Sequence, residues 1–277
     1  MPGRGRPRWL KCGLYPFDGP APMSPSHPAW PWPAFIAHRG GGRLAPENTL
    51  AAMRTGAAAG FGMVEFDVKL SSDGMPFLLH DDTVDRTSDG HGLASELDWR
   101  ALGRMDFGGW HGPDFAGEPA PSLYAVARCT RARGIHSNVE IKPTTGHEAE
   151  TGAAVAREAA RLWAGAGLPP LLSSFSEAAL DAARAAVPEL PRALLIEGPV
   201  PADWRARQQG LGCIGLNIDT LHADEAVVRD ILDQGATLAV WTVDDPERAR
   251  TLLEWGCQAV FTDALDRVRA GAPGLSR

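Results

Sequence analysis

Glu65, Asp67 and His80 are the residues best placed for chemistry, and they share one short stretch, MVEFDVKLSSDGMPFLLHD at 63–81. Val64, Phe66 and Val68 alternate there with Glu65, Asp67 and Lys69, the period of two that gives a strand two unlike faces. Glu65 and Asp67 therefore project from the same face. Asp73-Gly74 predicts a hairpin, because both residue types tolerate positive φ. With a two-residue turn at 73–74, Asp67 lies opposite His80; with a loop over 71–74, Glu65 does. A three-residue loop breaks this pattern. Two carboxylates and an imidazole on one sheet face are costly to bury unpartnered. A hard divalent cation on the carboxylates, with the histidine left free for proton transfer, removes that cost. Solvated acids on a half-exposed hairpin are the bland alternative.

The surrounding elements must hold these groups at one place. AFIAH at 34–38 predicts a short buried strand that delivers His38 and Arg39 to a run of three glycines, as at the mouth of a parallel barrel. A helix follows from Leu50, with Asn48 or Thr49 as its cap and Gly60 as its stop. Glu47 reads as a first-turn acid favouring the helix dipole rather than as a site residue. Beyond residue 122 helical and strand patterns alternate. SNVEIK at 137–142 puts Asn138, Glu140 and Lys142 on one face. Strands near 35, 64, 138, 171, 192, 213, 238 and 259, leaving aside the hairpin's return strand, predict a TIM-type (β/α)₈ barrel with an extra antiparallel strand. A doubly wound open sheet is the runner-up. His38, Arg39, Glu65, Asp67, Glu140, Lys142, Ser173, Ser174, Asn217 and Trp241 all fall near predicted strand ends. Packing alone does not explain ionisable residues recurring there.

Residues 1–33 hold nine of the 23 prolines and predict an irregular arm, resting on the domain through Trp9, Trp30 and Trp32. The barrel domain is expected over 34–272. Residues 83–121, after the second barrel strand, form an inserted cap whose apolar side chains (Trp99, Leu102, Met105, Phe107, Trp110 and Phe115) fill its own small core. The balance of 27 basic against 34 acidic residues, net −7, argues against a nucleic-acid surface while allowing a local phosphate pocket. No run of 18 apolar residues predicts a membrane span, and no apolar stretch follows the early basic cluster as a secretory signal requires. Cys12, Cys129, Cys213 and Cys257 lie far apart with no C-x-x-C spacing, which fits a reducing cytoplasm. Cys213 and Cys257 are expected as buried thiols. The oligomeric state is not encoded in any motif.

In order along the chain, HRG at 38–40, PENT at 46–49, EFDV at 65–68, DG at 73–74, HD at 80–81, RT-x-x-G-x-G at 86–92, NVEIK at 138–142, SSF at 173–175, WTV at 241–243 and TD at 262–263 resemble the glycerophosphodiester phosphodiesterase family. The resemblance implies a phospholipase C-like barrel that cleaves glycerophosphodiesters to glycerol 3-phosphate and an alcohol with Mg²⁺ or Ca²⁺. It implies Glu65, Asp67 and Glu140 as metal ligands, His38 and His80 as the acid/base pair, and Arg39 and Lys142 on the phosphate. Trp241, from its place near a predicted strand end, is the candidate for the substrate wall, with a core position as its bland alternative. A soluble glycerophosphodiester is the expected partner. Lysophospholipase D-type cleavage, a metal-dependent amidohydrolase and a non-catalytic phosphate-binding barrel are the alternatives. The amidohydrolase class carries H-x-H on its first strand, where this chain has His38-Arg39-Gly40. Four departures from the family pattern, Asp244, Gln258, Ala259 and Leu265, are expected to affect specificity for the alcohol.

Overall fold

Strand parity organises the molecule. In the computed structural model, which describes residues 30–269, odd and even positions of each strand part between two environments. Val64, Phe66, Val68, Val139, Ile141, Leu194, Leu216, Ile218, Leu238 and Val240 pack outward in the main core. Their neighbours, including Glu65, Asp67, Asn138, Glu140, Leu195 and Asn217, line the interior. The strands are β1 (Phe35–Ala37), β2 (Met63–Leu70), β3 (Pro76–Leu78), β4 (His136–Ile141), β5 (Leu171–Ser174), β6 (Arg192–Ile196), β7 (Gly215–Asp219), β8 (Thr237–Trp241) and β9 (Ala259–Thr262). They run in the order β1-β9-β8-β7-β6-β5-β4-β2, and β1 pairs with β2 to close a parallel barrel of eight. The open-sheet alternative is excluded by that last pairing. The ninth strand, β3, is antiparallel to β2. Among the described residues eight α-helices accompany them: α1 (Leu50–Ala58), α2 (Trp99–Leu102), α3 (Leu123–Ala132), α4 (Glu148–Leu162), α5 (Glu177–Ala186), α6 (Trp204–Gly210), α7 (Glu225–Asp233) and α8 (Pro246–Glu254).

The hairpin takes neither expected register. Val68 pairs with Leu78 and Lys69 with Phe77, and the Ser71 N–H donates to the Met75 carbonyl at 3.1 Å, closing a three-residue loop. Side chains select it. Ser71 Oγ accepts from the Met75 N–H at 2.9 Å, and Asp73 Oδ1 receives both Ser71 Oγ and the Trp99 N–H. Gly74 supplies the left-handed residue at φ 79°. Leu79 therefore stands opposite Asp67, its N–H donating to the Asp67 carbonyl at 3.2 Å. His80 lies beyond the end of β3 and reaches the interior from the following loop.

The arm predicted at 1–33 lies outside the described residues up to position 29. Trp30 and Trp32 are buried and meet edge to face at 5.3 Å. They pack on Ile36, Met63, Leu171, Ala193, Ala239 and Ala259, which close the barrel floor. Within 83–121, Val84, Ala94, Leu102 and Phe107 form a separate small cluster with Phe77 and Leu79, against which Trp99 and Met105 pack. Trp110 stays 43% exposed. Cys213 and Cys257 are buried, as expected, and burial pushes both thiols up to about 12.

Candidate active site

The loop after β1 is shaped to bring backbone and side chains to the carboxylates. Arg39 (φ 50°) and Asn48 (φ 58°) are its two left-handed non-glycine residues. For arginine that conformation costs on the order of 1 kcal/mol. It aims the Arg39 N–H at Glu65 Oε2, 2.8 Å away. Asn48 tolerates it better and clamps Asp67 twice: its Nδ2 donates to Asp67 Oδ2 at 2.8 Å, and its Oδ1 accepts from the Asp67 N–H at 3.0 Å. At Gly42 an added Cβ would lie 2.3 Å from the Asp263 carbonyl, so only glycine lets this loop close on the last one. Thr49, one of the two expected caps, is the N-cap of α1.

Asp67 and Glu140 are direct register partners on β2 and β4. With Glu65, two positions along β2, they are buried, and one oxygen from each lies within 4.8 Å of the others. Glu65 Oε1 has no hydrogen-bond partner. Burial, then the charge of Asp67, pushes Glu65 up to about 8 and Glu140 up to about 7. Burial would also raise Asp67, but Arg39, His80, Lys142 and the Asn48 amide outweigh it and hold its carboxyl low. Three acids in so small a volume, all oxygen donors and one of them unsatisfied, form a set that fits a hard divalent cation.

Each histidine is oriented by its own carboxylate. His38 Nδ1 lies 2.8 Å from Asp263 Oδ1, and His80 Nδ1 lies 2.7 Å from Asp81 Oδ1. An ionised carboxylate only accepts, so both Nδ1 atoms carry the proton and both Nε2 atoms are left for the cavity. Burial would lower His38, yet the Asp263 hydrogen bond and the charge of Glu65 raise it to about 9. Burial, helped by Arg39 and Lys142, moves His80 the other way despite Asp67. Lys69 is buried too; its Nζ donates to the His80 carbonyl at 3.3 Å and to Asp82 Oδ1 at 3.1 Å, fixing the loop that carries His80.

The eight residues named from sequence, His38, Arg39, Glu65, Asp67, His80, Glu140, Lys142 and Trp241, all line one cavity of about 630 Å³ at the carboxyl ends of the strands. Lys142 Nζ donates to Glu140 Oε1 at 3.0 Å and sits 5.1 Å over the Phe175 ring. Phe175 in turn meets Trp241 edge to face at 5.5 Å. Residues 83–121 line none of the cavity.

Against this geometry, a model of the Glycerophosphoryl diester phosphodiesterase family matches residues 38–267. The chain belongs to this family. The glycerophosphodiester phosphodiesterase of Caldanaerobacter subterraneus is 29% identical over 228 residues, which cover 82% of this chain and 93% of that one. Human glycerophosphodiester phosphodiesterase 1 is 47% identical over a shorter stretch of 97 residues, 34% of this chain and 29% of the human protein. Among solved structures, an Oleispira antarctica phosphodiesterase in complex with the product sn-glycerol-3-phosphate is 36% identical. It superposes with a TM-score of 0.79 over 84% of this chain and 94% of that one. The present chain is accordingly a glycerophosphodiester phosphodiesterase, which sets aside the amidohydrolase and non-catalytic alternatives.

Several residues bonded to this site escaped sequence reasoning. Glu47 is not a first-turn helix acid: it precedes the Thr49 cap and bridges two guanidinium groups. Its Oε1 accepts from Arg39 Nη1 at 2.7 Å, and Arg86 donates to both of its oxygens at 2.8 Å. Arg86 also donates to Asp81 at 2.6 and 3.0 Å, so a continuous charge network runs from His80 through Asp81, Arg86 and Glu47 to Arg39. Only their places in PENT, HD and RT marked these residues. None of the four departures lines the cavity. Gln258 and Ala259 sit at the amino-terminal end of β9, where Gln258 Oε1 accepts from the Leu238 N–H and Ala259 lies in the floor cluster. Leu265 is buried in the main core. Asp244 pairs with Arg43 and accepts from the Asp263 and Ala264 N–H groups, so it holds the loop that carries Asp263.

Proposed function

We propose that Glu65, Asp67 and Glu140 hold one Mg²⁺ or Ca²⁺, that His38 and His80 move the protons of phosphodiester hydrolysis, and that Arg39 and Lys142 take the phosphate charge. The observation that carries this reading is two imidazoles, each fixed at Nδ1 by a carboxylate at 2.8 and 2.7 Å, lining one cavity with three converging acids. A hard dication, when bound, would offset most of the charge of the three acids and stabilise charge on phosphoryl oxygens. One imidazole Nε2 takes the proton of the attacking hydroxyl; the other, protonated, gives one to the departing alcohol oxygen. Arg39, braced by Glu47, and Lys142, braced by Glu140, draw the phosphodiester anion against the β1–β4 side of the cavity and hold it as charge builds. The Phe175 and Trp241 pair forms an apolar wall for the carbon atoms of the substrate.

Soluble glycerophosphodiesters fit better than lysophospholipids. Trp99, Leu102, Met105 and Phe107 are turned into their own cluster, and residues 83–121 offer no acyl surface at the cavity. The unpaired thiols of Cys213 and Cys257 support a reducing cytoplasmic setting. No described helix is long and apolar enough to cross a membrane. Purified protein incubated with glycerophosphocholine and Mg²⁺ or Ca²⁺, with enzymatic detection of glycerol 3-phosphate, tests the reading. Turnover that vanishes on exhaustive chelation and returns with either ion supports it; full turnover after chelation refutes the metal site.

A further inference from the structure

Across the cavity from the charged residues, one polar side chain has nothing to bond. Asn217 is on β7 between its register partners Leu195 and Ala239. Leu216 and Ile218 face the helices, so Asn217 faces the interior, where it lines the cavity. Its relative exposure is 0%, and neither Nδ2 nor Oδ1 has a partner. Its backbone is pinned instead: the Trp241 Nε1–H donates to the Asn217 carbonyl at 3.2 Å. Asn138, on β4, shares the cavity and is half satisfied. Its Nδ2 donates to Ser173 Oγ at 2.8 Å, while its Oδ1 is unpartnered.

A buried amide free at both ends selects a ligand that can accept and donate at one point. A phosphate dianion accepts only, and a quaternary ammonium does neither. A hydroxyl group does both. We infer that Asn217 is the specificity residue for the glycerol end of the substrate, bonding its hydroxyls from the wall opposite the phosphate side, with Asn138 Oδ1 as a second acceptor. This rests on the proposed substrate class and adds what selects it: a phosphodiester whose retained end carries a vicinal diol. Sites built to bond a hydroxyl discriminate strongly against analogues that lack it, because the protein group is then left unpaired.

Binding of sn-glycerol 3-phosphate and of n-propyl phosphate, which has the same carbon skeleton without the hydroxyls, tests this by calorimetry on the full chain with Mg²⁺ present. The wild type is expected to prefer glycerol 3-phosphate by about 10–100-fold, in the range of one or two buried hydrogen bonds. Asn217→Leu should lose that factor for glycerol 3-phosphate and hold propyl phosphate within about twofold. Leucine replaces an unpaired amide at similar volume, so the melting temperature should not fall. Should Asn217→Leu fail to fold, Asn217→Ser and Asn217→Ala are read by the same pair of ligands. Equal weakening of both ligands, no weakening of either, or a wild type that does not discriminate would overturn the inference. Direct binding keeps its failure distinct from that of the proposed function, which turnover of glycerophosphocholine reads separately.

Discussion

Metal binding at Glu65, Asp67 and Glu140 should be strongly coupled to protons. In the folded protein without metal, Glu65 and Glu140 are raised to about 8 and about 7, while Asp67 is lowered and stays ionised. A dication binds the ionised set, so it must displace the protons that the two raised groups hold. The sign follows: affinity rises with pH, by about 100-fold per unit well below pH 7, about tenfold per unit between 7 and 8, and little above 8. Between pH 6 and pH 8 the apparent affinity for Mg²⁺ or Ca²⁺ should climb by about two to three orders of magnitude. His38 steepens this, because its imidazolium lies 3.8 Å from Glu65 and is repelled by an arriving cation. The same raised values mean that, without metal, the fold loses stability as pH rises from the ordinary carboxylate range up to about 7 for Glu140 and about 8 for Glu65. The melting-temperature gain on adding metal should therefore be larger at pH 8 than at pH 6. Calorimetric titration in two buffers of different ionisation enthalpy counts the protons. Close to two should leave per ion at pH 6.5, and Glu65→Gln should release one fewer while binding more weakly. An affinity that is flat from pH 6 to 8, with no proton release, would refute the coupling and with it the triad as the metal site.

The remaining expectations concern what surrounds the triad. His38→Ala and His80→Ala should each lower kcat by about 10²–10⁴-fold with little change in product affinity; near-normal turnover in either removes it from the proton-transfer pair. Asp263→Asn, which lets His38 take the wrong tautomer, should lower kcat more than it alters KM, and an unchanged kcat would dismiss the orienting role. Glu47→Gln should cost turnover without unfolding, since it loosens Arg39 and Arg86 together; kinetics matching the wild type would show the network to be dispensable. Trp30→Ala should cost about 3–5 kcal/mol in urea denaturation, and an unchanged midpoint would mean that the barrel floor closes without it.

What could be read from the sequence was what local periodicity encodes. Glu65 and Asp67 share a face because they are two apart on a strand, and Glu140 was marked by the same parity on β4. The inward and outward sets of nearly every barrel strand follow from that rule. The hairpin register did not, because it turns on Ser71 and Asp73 side chains that stabilise a three-residue loop over the two-residue and four-residue choices. His80 was assigned to the cavity, but through a pairing that does not exist; it arrives from a loop held by Lys69. The partners that orient the histidines and brace Arg39 depend on closure of the barrel. His38 and Asp263 are 225 positions apart, and Glu47 and Arg86 are 39 apart. No window along the chain joins them, so Glu47 read as an ordinary helix-start acid.

That network gives residues 83–121 a different task from shielding substrate. Their apolar side chains close on Phe77 and Leu79 rather than on the cavity. The segment's one ionic link toward the site among the described residues is Arg86, whose guanidinium joins Asp81, beside His80, to Glu47, beside Arg39. We expect the segment's small core to hold Arg86 in place, and through it to keep the spacing of a proposed proton carrier and a proposed phosphate ligand. Half-exposed ion pairs of this kind contribute little to stability singly. Placed in series between two groups that must meet one substrate, they act on geometry, where a displacement near 1 Å can cost about 10²-fold in rate. Substitutions that loosen the Leu102 and Phe107 cluster should accordingly lower kcat while leaving the barrel folded, although no residue of that cluster touches the cavity.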